Sequence, residues 1–151
     1  MDLGSAFAAE LGTMKVNEEI DALSTMGLDP VGFLVIPRMI AAIAMTPLLT
    51  IFADCIGVAG GAVVMLHLGY PPVSYFHQVV SAVNYIDLCG GLIKSVVFGL
   101  LVAGLGCYRG LQTAVGASAV GDSATRSVVS SIIFIVAVDG LFSIIYYSLG
   151  V

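Results

Sequence analysis

A chain of 151 residues that is 59% hydrophobic and only 10% charged, with a mean hydropathy of +1.08, lies far from soluble domains, which run about 45–50% apolar and about 25% charged. Five Lys+Arg against ten Asp+Glu leave no cationic cluster to hold a phosphate backbone, so a nucleic-acid partner is excluded along with a disordered chain and an ordinary soluble enzyme domain. The expected fold is all-α: a polytopic transmembrane helix bundle with room for three or four crossings of about 20 residues each.

Residues 1–33 carry seven of the fifteen charges (Asp2, Glu10, Lys15, Glu18, Glu19, Asp21 and Asp29) and must lie outside the hydrocarbon. Leu3, Phe7, Leu11 and Met14 share one helical face, and Val16, Ile20 and Leu23 share another after a register shift near Gly12–Thr13. This predicts two short amphipathic helices. Asn17 is the expected N-cap of the second, with Glu18 and Glu19 in its first turn, Gly27 as the C′ residue and Asp29-Pro30 as its end.

The first span is expected over 34–68. From Phe33 to Leu68 the chain is apolar apart from Arg38, Asp54 and His67, roughly 54 Å if wholly helical. Such a length predicts either one protruding, tilted helix or a bend at Pro47 and Gly57–Gly61. Residues 69–87 read as an interfacial loop with a short helix, its tyrosines at headgroup level. A Gly-rich second span follows over 88–107, broken only by Lys94. Small and polar residues over 108–126 suit a loop and a short helix, and 127–149 is the third span, with Asp139 near its middle. Lys15 and Arg38 precede the first span, Arg109 and Arg126 separate the second from the third, and no Lys or Arg occurs in 69–87 or after 149. The excess of cations predicts that the N-terminal region and the 108–126 loop face the cytoplasm, with the C-terminus outward. No cleavable leader is expected, since Asp2, Gly4, Ser5 and Glu10 interrupt the first residues.

Asp54, Lys94 and Asp139 are ionisable groups at membrane depth, where charge is expensive and faces a partner or water. Lys94 can snorkel towards the outer interface, but Asp139 is too deep for its short side chain to escape and needs a partner, for which Lys94 is the buried cation on offer. A proton relay is the sharper alternative. Gly57-x-x-x-Gly61 and Gly106-x-x-x-Gly110 are small-residue faces suited to close helix packing. His67 and His77 have no third ligand, and Cys55, Cys89 and Cys107 show no C-x-x-C spacing, so no metal site is expected and the cysteines read as small apolar residues. No Walker A, G-x-S-x-G or H-E-x-x-H pattern occurs. No catalytic residue is therefore assigned, and the chain is not expected to be an enzyme.

One stretch is more specific. Glu10-Leu-Gly-Thr-Met-Lys-Val-Asn-Glu-Glu-Ile-Asp-Ala-Leu23, followed by Met26-Gly-Leu-Asp-Pro30 and Ile36-Pro-Arg38, closely resembles the signature of the MlaE/YrbE permease family. The likeness continues through Leu49-Thr-Ile-Phe-Ala-Asp54 and Gly57-x-x-Gly-Gly61. It returns as Gly110, Ala114-Val-Gly-Ala-Ser-Ala-Val-Gly121, Ser123-Ala-Thr125, Val128-Val129 and Asp139. Glu19 stands where the family usually has Gln, and Asn17 where it has Thr or Ser. Family members also begin well upstream, so the chain resembles the C-terminal part of such a permease. The resemblance implies the membrane subunit of an ABC-type system that moves phospholipids or related lipids across the bacterial envelope, located in the inner membrane. It implies that the N-terminal cytoplasmic helices couple to a separate ATPase through Glu10, Leu11, Gly12, Thr13, Met14, Val16, Glu18, Ile20, Asp21 and Leu23. The apolar members are expected to supply the contact surface and Glu10, Glu18 and Asp21 its register. ATP and Mg then belong to the partner, with no cofactor on this chain. A second permease copy and a periplasmic MCE-domain protein are further implied partners. The competing readings are a secondary transporter or channel subunit using Asp54, Lys94 and Asp139 as a relay, and a structural membrane scaffold.

Overall fold

The computed structural model describes residues 3–149, which form six α-helices and one π-helical turn with no strand among them. In chain order these are α1 (Leu3–Val16), α2 (Glu19–Thr25), a π-turn (Val31–Val35) running into α3 (Ile36–His67), α4 (Pro72–Ala82), α5 (Tyr85–Leu111) and α6 (Ala117–Leu149). Val31–His67, Tyr85–Leu111 and Ala117–Leu149 are long and apolar enough to cross a membrane. The chain is thus a multi-pass membrane protein.

The first span is one element of 37 residues, about 56 Å long at 1.5 Å per residue. It runs through Pro47 and Gly57–Gly61 without interruption. On either side of the proline, Thr46 Oγ1 donates to the Ala42 carbonyl at 2.7 Å and Thr50 Oγ1 to the Thr46 carbonyl at 2.9 Å. The loop expected over 108–126 shrinks to 112–116, because α5 continues to Leu111 and α6 already begins at Ala117. The small polar residues that suggested a loop satisfy themselves inside the helix. Ser123 Oγ donates to the Ala119 carbonyl and Thr125 Oγ1 to that of Gly121, both at 3.0 Å, and Asp122 pairs with Arg126 one turn on at 2.9 Å.

The boundaries of α2 follow local chemistry with one shift. Asn17 is not its N-cap, because the Asn17 amide still donates to the Thr13 carbonyl at 3.0 Å and so completes α1. Glu18 caps instead, with a left-handed backbone at φ 59°. At the other end Gly27 takes φ 77°, its amide donating to Ser24 and the Leu28 amide to Leu23, both at 3.1 Å. That is a Schellman closure with the expected glycine at C′. Asp29 then caps the following segment, its two carboxylate oxygens accepting from the Val31 and Gly32 amides at 3.2 and 3.1 Å.

α1 packs against both α5 and α6 through small residues. Its buried positions are Gly4, Ala8, Leu11 and Gly12, and Gly4, Ala8 and Leu11 meet Gly106, Cys107 and Gly110 of α5 and Ser127 of α6. Of the apolar face expected from Leu3, Phe7, Leu11 and Met14, Leu11 is core and Phe7 and Met14 pack beside it, while the small residues Gly4, Ala8 and Gly12 add a second buried strip. Without a hydrophobic drive between helices in lipid, backbone approach decides the contact, and the smallest residues mark it. A Cβ on Gly106 would run into the Gly4 backbone, and one on Gly110 would stand 2.7 Å from Leu11 Cβ and 3.1 Å from the Ala8 carbonyl oxygen. The other glycine pair behaves differently. Gly57 faces open space, and Gly61 seats the ring of Tyr75, whose hydroxyl donates to the Val58 carbonyl at 2.9 Å and so holds α4 against α3. On the remaining faces of α3, Ile40, Phe52, Ile56 and Val63 are exposed, an apolar surface that water does not tolerate over such a length.

Candidate functional site

Four of the five cations gather at one end of the bundle. The bridge between Glu10 and Arg38 brings the C-terminal half of α1 to the start of α3. Gly12 abuts Thr113, which brings the same part of α1 to the α5–α6 connection. Lys15, Arg38, Arg109 and Arg126 therefore share an end, and α2 projects from it.

One apolar cluster ties α2 to the spans, and two ion pairs tie α1 to α2 and to α3. Ile20 is buried with Leu11, Leu34 and Cys107, and Phe7, Met14, Leu23, Val35 and Leu111 close around them. Lys15 Nζ pairs with Asp21 Oδ1 at 3.0 Å, joining α1 to α2. The Arg38 guanidinium, whose side chain is mostly buried, donates to the Leu34 carbonyl at 2.8 Å and to Glu10 Oε1 at 2.7 Å. The exposed Lys15–Asp21 pair contributes under about 1 kcal/mol, whereas a fully buried Leu or Ile contributes about 1.5–3 kcal/mol. The apolar cluster is the stiff joint. Through it and through Glu10–Arg38, a push on α2 reaches α1, α3 and α5 together.

The residues expected to form an ATPase contact divide by burial. Glu10, Thr13, Glu18 and Asp21 are exposed, Met14, Val16 and Leu23 are half-buried, and Leu11, Gly12 and Ile20 are buried. Leu11 and Ile20 are thus not an outward apolar surface; they are the chain's own core. The reason is that α2 has only seven residues, too few to hold a helix without anchoring its apolar side chains on a neighbour. What α2 offers outward is acidic, Glu18, Glu19 and Asp21, with Met26 and Leu28 exposed just beyond its end. Sequence periodicity overlooked Met26 and Leu28 because they lie past the last helical turn.

The intramembrane charges also divide. Lys94 and Asp139 form an ion pair between α5 and α6. Lys94 Nζ also sits 5.7 Å from the Phe98 ring centre, a cation–π distance. Phe142 meets the Phe98 ring edge-on and lies tilted against Tyr146, and the Tyr146 hydroxyl donates to the Gly90 carbonyl at 3.2 Å. Asp54 stands apart, exposed on α3, and among the described residues it takes part in no ion pair. Among the described residues no ion pair joins Asp54 to Lys94 or Asp139.

Comparison with known proteins gives a consistent match. The family model described as Permease MlaE covers residues 1–145. A probable ABC transporter permease protein of Rickettsia typhi is 41% identical over 134 residues, 88% of this chain and 52% of that protein. A protein of the same description from Synechocystis sp. is 43% identical over 134 residues, 88% of this chain and 51% of its own length. The protein TRIGALACTOSYLDIACYLGLYCEROL 1, chloroplastic, of Arabidopsis thaliana is 36% identical over 146 residues, 96% of this chain and 42% of its own. The chain spans about half the length of the curated relatives it matches.

Proposed function

The chain belongs to the MlaE permease family, and from that premise we propose that it is the membrane subunit of an ATP-binding cassette transporter of phospholipids in a bacterial inner membrane, driven by a separate ATPase that docks on α2. One observation carries this reading: a short acidic helix projects from the cation-bearing end yet is locked by its apolar side to α1, α3 and α5. A carrier driven by an ion gradient has no use for such a lever. ATP-driven closure of the ATPase works by favouring one arrangement of the spans over another, and α2 is where that preference enters. ATP and Mg belong to the ATPase. The lipid cargo is supported by the glycerolipid in the name of the Arabidopsis relative. The second permease copy and the MCE-domain protein above it complete the proposed assembly.

Two experiments bear on this reading. Orientation follows from the cations at one end: with Cys55, Cys89 and Cys107 replaced, Ser74→Cys on α4 should react with an impermeant maleimide in intact cells and Ser118→Cys at the start of α6 should not. The opposite labelling would reverse the topology. For the docking surface, Glu19→Lys combined with Met26→Asp alters only exposed groups. Losing an interface anchor worth about 2 kcal/mol or more should cut the ATPase recovered on a pull-down by about thirtyfold while permease abundance stays normal. Leu23→Ala, half-buried against Leu11, should instead lower the permease itself. Full retention of the ATPase by the exposed double variant would remove α2 as the dock.

A further inference from the structure

A cleft of about 280 Å3 opens between the end of α5 and the start of α6, lined by Arg109, Gln112, Thr113, Asp122, Ser123 and Arg126. Two guanidinium groups face one carboxylate there, so the cleft is net cationic. The carboxylate is weakly committed: Asp122 Oδ2 meets Arg126 Nε at 2.9 Å with both side chains more than 60% exposed, an exposed one-turn pair of a few tenths of a kcal/mol. Arg109 is held differently. One terminal nitrogen donates to Ser130 Oγ at 3.0 Å, which fixes the guanidinium, while its Nε is buried without a hydrogen-bond partner. A buried charged donor with no acceptor is costly; an anion entering beside it would remove that cost. The inner wall is closed by the hydroxyls of Thr113 and Ser123, 2.7 Å apart. Ala119, in the first turn of the 33-residue α6, also lines the cleft and brings the positive end of that helix dipole close to it.

The depth of the cleft selects the ligand. Beyond Arg126 the helix is apolar from 127 to 149 apart from Asp139 and a few serines, about 34 Å and close to the thickness of the hydrocarbon core. Arg126 therefore marks the membrane boundary, and Arg109, bonded to Ser130, lies within about one helical turn, about 6 Å, of it. Lipid phosphates occupy this layer, and basic side chains between helices bind them. We infer that the α5–α6 cleft binds the phosphate of an anionic phospholipid headgroup through Arg109 and Arg126. This site does not depend on that lipid being the cargo, nor on α2 docking an ATPase. The bidentate geometry of guanidinium with phosphate oxygens suits both arginines, and Asp122 tunes the affinity downward by competing for Arg126.

The test uses the purified chain in neutral detergent micelles carrying phosphatidylcholine, with phosphatidylglycerol or inorganic phosphate titrated in and bound lipid counted by native mass spectrometry. Phosphatidylglycerol should fill one saturable site. Arg109→Gln and Arg126→Gln should each weaken it about tenfold, the scale of one charge-assisted hydrogen bond. Asp122→Asn should tighten it several-fold, a gain that misfolding cannot imitate. Inorganic phosphate should compete only weakly. Equal retention of phosphatidylcholine and phosphatidylglycerol, indifference to all three substitutions, or phosphate binding that phosphatidylglycerol does not displace would each overturn the assignment.

Discussion

Gly106→Ala should melt well below the unmodified protein, while Gly57→Ala, the same change in the same motif spacing, should melt at or slightly above it. A methyl group at 106 meets the carbonyl oxygen and Cα of Gly4, and backbone cannot swing aside as a side chain can. Room could be made only by lifting α1, whose buried face, Gly4, Ala8, Leu11 and Gly12, is its hold on the bundle. Overpacking of this kind costs about 1–3 kcal/mol, and the joint at Leu11 and Ile20 loosens with it. At Gly57 no atom lies within 4 Å of the added carbon, so the substitution gains helix propensity of up to about 1 kcal/mol. Unfolding midpoints in detergent, followed by size-exclusion recovery after heating, give the comparison. Coincident midpoints would mean that α1 does not dock through Gly106.

This contrast also shows what could be read from the sequence. Three spans, the cations at one end, Gly27 as a C′ residue and the need of Asp139 for a partner all follow from composition, spacing and the cost of charge in lipid. These are local or one-body properties. Only part of the packing face of α1 is legible in the same way: periodicity finds Phe7, Leu11 and Met14 but not Gly4, Ala8 and Gly12, which are marked by the absence of side chain. Gly57 and Gly106 look alike in sequence; what separates them is whether another backbone arrives, which is a tertiary fact. The polar start of α6 reads as a loop until Ser123 and Thr125 are seen turned onto their own helix. Leu11 and Ile20 serve the chain's own core, which helical periodicity alone does not distinguish from an outward apolar face.

Lys94→Met and Asp139→Asn should each destabilise the protein, and the combination should be far less harmful than their sum. Asp139 lies ten residues before the end of α6, about 15 Å, half-way into a core about 30 Å thick. Removing one member of such a pair strands the other charge and costs about 3–5 kcal/mol where the site is well buried. Removing both leaves only apolar and amide surface. The two single changes should not be equal. Lys94 is nine residues from the start of α5 and its long stem lets a stranded ammonium reach towards the interface, keeping its contact with the Phe98 ring. A stranded Asp139 has no such route and is left as an uncompensated charge in the hydrocarbon. Lys94→Met should therefore be the worse of the two. Neither effect should respond to added salt, since ions do not enter the hydrocarbon to screen the pair. Unfolding midpoints of the four proteins at two salt concentrations complete the cycle. Strict additivity would show that the ion pair between α5 and α6 contributes nothing to holding them together.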